Sequence, residues 1–126
     1  MMFEISISID VSDMEKAVLF YTKALGCSGL HAGESTIKLK AQNVNIFLLK
    51  NESGTYPLIK GTSSRNYERH WTPVHLDFNV TAIEKITSMV KKYAGIIEGY
   101  ESGDWGSVKF CADPFGNGFC LCQINN

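Results

Sequence analysis

Between residues 5 and 11 the chain alternates strictly, with Ile5, Ile7, Ile9 and Val11 on one side of an extended strand and Ser6, Ser8 and Asp10 on the other. Such a strand offers one face to a core and keeps one polar face. The period then changes: Ala17, Phe20, Tyr21, Ala24 and Leu25 fall at the spacing of an apolar stripe on a helix that lies against a sheet. Ser12 and Glu15 have the spacing of a capping box at its start, and Gly26 stands at its end, where a left-handed residue costs glycine least. Turn signals then separate three shorter strand candidates, roughly 28–33, 36–41 and 44–50.

The whole pattern is written a second time. Residues 74–95 lie over 5–26 without a gap at a constant offset of 69, and Val11/Val80, Glu15/Glu84, Lys16/Lys85, Lys23/Lys92 and Gly26/Gly95 are identical. Val74, Leu76, Phe78 and Val80 alternate with His75, Asp77 and Asn79. Thr81 and Glu84 repeat the capping-box spacing, Ile83, Ile86, Val90 and Tyr93 repeat the stripe, and strands are expected near 96–101, 105–112 and 118–124. Each half is therefore β-α-β-β-β. A half of about 55 residues buries too little surface to stand alone, so the two are expected to fold together over 1–126, as module one (about 3–50), a connecting loop (51–73) and module two (about 74–124).

Composition narrows the classes. The chain has 126 residues, 44% apolar and 20% charged, the balance of an ordinary globular protein. A net charge of -1 leaves no basic footprint, which argues against nucleic acid as a partner. No apolar run approaches the roughly 20 residues that span a bilayer, and "MMFEISISID" lacks both a basic leader and an unbroken apolar stretch, so no membrane and a cytoplasmic location are expected. Cys27, Cys111, Cys120 and Cys122 form no CxxC pair, which favours reduced thiols over a disulfide framework.

The first module reads V-S-D-x-E-K-A-x-x-F-Y-x-x-x-L-G from Val11, and the last strand follows D-P-x-G-N at Asp113 to Asn117. With the tandem βαβββ repeat, these motifs resemble the vicinal oxygen chelate superfamily, which includes glyoxalases, extradiol dioxygenases, fosfomycin-resistance proteins and bleomycin-resistance binding proteins. The resemblance implies an α+β fold: tandem βαβββ modules whose curved mixed sheets surround a cavity, with helices outside. It also implies a homodimer, with pockets inside each chain or across the interface.

In metal-dependent members each module supplies a His or Gln from its first strand and a Glu from its last. Carried onto this chain, those positions are Ser6, Phe47, His75 and Cys120. Only His75 matches. Hard divalent cations seek oxygen and imidazole donors, so no metal and no cofactor is expected, as in the bleomycin-resistance type.

His75 and Cys120 are the candidates for catalysis. A lone imidazole on a polar strand face can equally be a hydrogen-bonded side chain, and a buried cysteine usually behaves as a small hydrophobe. A Cys-His nucleophile and a zinc site completed by one more ligand are the sharper alternatives. The 51–73 loop carries Tyr56, Arg65, Tyr67, Arg69, His70 and Trp71, a set suited either to joining the modules or to rimming a pocket. The expected function is sequestration of an antibiotic-like or aromatic small molecule. Ser6, Ser8, Phe47, His75, Asp77 and Cys120 would line its pocket, with Trp71 and Trp105 near the mouth. A glyoxalase- or dioxygenase-like enzyme using His75 is the alternative, and a non-catalytic interaction module is a third.

Overall fold

A computed structural model describes residues 2–58, 61 and 63–125, with the backbone alone at residues 30–32. Both modules form the expected β-α-β-β-β order. The first runs β1 (Ser6–Val11), α1 (Met14–Leu19), β2 (Ser28–Ala32), β3 (Thr36–Lys40) and β4 (Asn45–Lys50). The second runs β5 (Leu76–Asn79), α2 (Ile83–Lys92), β6 (Ile96–Gly103), β7 (Gly106–Ala112) and β8 (Gly118–Ile124). Each makes one four-stranded mixed sheet, in the orders β1-β4-β3-β2 and β5-β8-β7-β6, with the first and last strands of a module parallel. Among the described residues no strand of one sheet pairs with the other, and no barrel closes.

The apolar faces of both sheets and both helices share one cluster that includes Ile9, Phe20, Leu48, Val90 and Phe119. Phe20 crosses between modules: its ring meets Phe119 edge-on at 5.9 Å. Just after α1 the backbone widens into a π-helical turn, Phe20–Ala24, where the 3.6-residue stripe predicts an unbroken α-helix. The turn brings both Phe20 and Tyr21 into the core, almost wholly buried.

Neither capping box forms. Asp13 caps α1, accepting from the Lys16 amide at 3.1 Å, because a carboxylate one residue past Ser12 answers both the free amide and the helix dipole. On α2 the free Ile83 amide donates to Gln123 Oε1 of β8 at 2.8 Å, so the cap comes from the neighbouring strand and not from Thr81. The helix ends also differ. Gly26 takes the left-handed conformation expected of it (φ 73°), but after α2 that conformation falls on Ala94 (φ 73°). Gly95 serves space instead, since a Cβ there would collide with Val90 and Phe20.

The 51–73 loop ties the modules to one another. On the first module Arg65 donates to Asp10 at 2.9 Å, while within the loop Tyr67 donates to the carbonyl of Asn51, whose own amide donates to the Val11 carbonyl of β1 at 3.0 Å. Arg69 forks onto Glu98 and the His70 amide donates to the Gly116 carbonyl at 3.0 Å on the second.

Candidate functional site

Because β-strand side chains alternate, the face of each sheet opposite the helices is set by register. In the parallel pair β5/β8, Asp77 stands opposite Cys120. His75, two residues before Asp77, projects to the same side. The three donor atoms of His75, Asp77 and Cys120 all lie within 4.8 Å of one another. His75 Nε2 is 3.1 Å from Asp77 Oδ1. The imidazole and carboxylate are open to solvent, whereas Cys120 is buried.

Burial pushes the Cys120 thiol up to about 11, and the Asp77 carboxylate adds to the effect by charge and by accepting its hydrogen bond. The thiol is thus protonated at neutral pH, the opposite of what a thiolate nucleophile requires. Cys111, on the helix side of β7, is pushed up to about 12, again chiefly by burial.

Trp71 covers one edge of this group. Its ring lies 4.8 Å from the His75 ring, and the Arg69 guanidinium sits 5.3 Å from the centroid of the same indole. Any side chain at Gly118 would run into the indole. Trp71, His75, Asp77 and Cys120 are therefore neighbours. Trp105 is not among them: it sits in the β6–β7 hairpin beyond Gly106, which pairs with Ile124, four positions along β8 from Cys120 and so roughly 13 Å away.

The first sheet repeats the layout with different chemistry. Ser8 pairs with Phe47 as Asp77 pairs with Cys120, and Ser6 lies on the same exposed side. The Lys38 ammonium stands 5.8 Å from the Phe47 ring. Ser6, Ser8 and Phe47 thus belong to the outward face of one sheet, and His75, Asp77 and Cys120 to that of the other. Surface hollows of about 310 and 240 Å³ lie by the helices and by the connecting loop, and neither is lined by these residues.

The family positions do not fit a hard divalent cation. Ser6 and Phe47 offer a weak neutral oxygen and no donor, and Cys120 replaces a carboxylate by a thiol. What the sequence leaves unseen is that Asp77, two residues after the family's ligand position at His75, brings a carboxylate back to Cys120. The signal was present in the alternation that puts Asp77 beside His75, but the β5/β8 register was needed to complete it.

Also unforeseen is a buried pair away from this face. Asp113, 2% exposed, accepts from the Phe115 and Asn117 amides as the turn motif requires. It also accepts from Tyr21 of the other module at 2.6 Å. Burial, with Asp113 beside it, raises the Tyr21 hydroxyl well above its ordinary value.

Residues 6–122 match the family described as "Glyoxalase-like domain". No curated protein sequence is significantly similar to the chain. Among solved structures, the fosfomycin resistance protein FosX from Listeria monocytogenes is 14% identical with a TM-score of 0.75, covering 99% of this chain and 95% of that one. FosX from Mesorhizobium loti is 12% identical with a TM-score of 0.74, covering 99% and 94%. A hypothetical protein from S. aureus is 18% identical with a TM-score of 0.69, covering 98% and 99%. At these identities the likeness speaks for the fold. One Listeria structure was solved with Mn(II) and sulfate.

Proposed function

Since the chain belongs to the glyoxalase-like domain family of the vicinal oxygen chelate superfamily, we propose that it binds a small aromatic or antibiotic-like molecule on the outward face of its second sheet, without the hard-cation chemistry of the manganese-bound FosX structures. The observation that carries this reading is the convergence of Trp71, His75, Asp77 and Cys120 beside a donor set poor in oxygen. An open indole supplies a stacking platform, His75 and Asp77 supply hydrogen bonds, and Cys120, protonated in the metal-free chain, supplies a neutral floor.

The outward faces of the two sheets are both open within one chain, which supports a homodimer in which one copy's first sheet, with Ser6, Ser8 and Phe47, covers the other copy's second sheet. Such a dimer would enclose the ligand from both sides and appear by sedimentation at twice the chain mass.

The rival is a metal-assisted enzyme, favoured by the FosX structures that hold Mn(II). Under that reading His75→Ala abolishes turnover of a 2-oxo hemithioacetal or a catechol. The binding reading is tested by a thermal-shift screen of flat aromatic and cationic compounds and antibiotics, run with chelator. Hits should raise the Tm of the protein and not of Trp71→Ala, and a screen without hits removes the reading.

A further inference from the structure

Resting on the same site, we infer that His75, Asp77 and Cys120 together bind a thiophilic divalent cation of the zinc class and discriminate against manganese. The donors are an imidazole nitrogen, a carboxylate oxygen and a sulfur, all already within 4.8 Å of one another. Tetrahedral zinc, with bonds of about 2.0–2.3 Å, sets its ligand atoms roughly 3.3–3.8 Å apart. The His75–Asp77 spacing of 3.1 Å is close to that range, and side-chain rotation at exposed His75 and Asp77 covers the remaining difference.

Backbone geometry preorganises the triplet. Asp77 and Cys120 are register partners in a parallel ladder, and His75, one residue before β5 begins, is held beside them by its 3.1 Å contact with Asp77. Trp71 leans on the imidazole, and the Arg69–Glu98 fork anchors the segment that carries it. Ring orientation of this kind is what outer contacts do for metal-bound histidines.

The choice of metal follows from the sulfur. A thiolate favours zinc over manganese, while three protein donors on an open face leave a fourth position for water or for a donor atom of the bound small molecule. Binding exchanges the Cys120 S–H bond for a S–Zn bond and releases that proton to solvent, and no electrons move.

The test uses the full chain, stripped with chelator and titrated with Zn²⁺, Mn²⁺ or Co²⁺. Zinc affinity is read by competition with a chromophoric indicator, and cobalt by its near-ultraviolet thiolate charge-transfer band. One Zn²⁺ per chain, a cobalt–thiolate band and weaker Mn²⁺ binding are expected. Asp77→Asn and Cys120→Ser should each lower zinc affinity by at least the roughly 10–100-fold lost with an outer-shell partner. Cys122→Ser, on the same strand face but outside the triplet, should bind zinc normally, and circular dichroism confirms that each variant is folded. Absence of the cobalt band, tighter Mn²⁺ than Zn²⁺, or unchanged affinity in folded Asp77→Asn overturns the inference. Thermal-shift hits that persist with chelator, alongside absent zinc binding, would sink this inference alone; zinc binding without hits would sink the binding reading alone.

Discussion

The chemistry of single residues here is governed by burial. Cys120 and Cys111 are shifted up to about 11 and about 12 from an ordinary 9.0, both chiefly because a thiolate would be stranded away from water. The unfolded chain loses these protons first, so their contribution to stability is complete below about pH 9 and declines as pH rises toward 11 and 12. A Tm measured across that window should fall steadily, and a flat profile would show that the thiols are hydrated. Alkylation of Cys120, followed by mass spectrometry at pH 8, should be much slower in the native protein than in denaturant. Tyr21→Phe tests the buried pair: Asp113 would lose one donor between the modules, which should cost about 1.5–3 kcal/mol in denaturant unfolding.

At the scale of elements, the sequence was legible where periodicity dominates and opaque where partners are distant. All eight strands lie within two residues of their expected bounds, because alternation and turn residues are local signals. The helix caps were not legible. Ser12 and Thr81 have the right spacing, but Asp13 competes locally and Gln123 arrives from a strand 40 residues away. Likewise the equivalence of Gly26 and Gly95 hides two jobs, left-handed backbone at the first and close approach of Phe20 and Val90 at the second. Gly95→Ala should therefore destabilise by about 1–3 kcal/mol through overpacking. Ala94→Gly, which relieves a left-handed alanine, should stabilise by roughly 1 kcal/mol, both read from denaturant midpoints.

For the whole molecule, the repeat revealed the tandem architecture, and the family motif revealed which positions to inspect. It could not reveal Asp77 as the neighbour of Cys120, because that adjacency belongs to the β5/β8 register. Nor could it separate the faces of the two sheets or remove Trp105 from the candidate pocket, since both depend on three-dimensional layout. Among the described residues no helix is long and apolar enough to cross a membrane. In the second sheet a hard-metal ligand set is replaced by one imidazole, one carboxylate and one buried thiol. Elemental analysis of the full chain, purified without chelator, tests this most directly. Zinc at up to one per chain, with manganese and iron at trace level, is the predicted result; stoichiometric manganese or iron would contradict it.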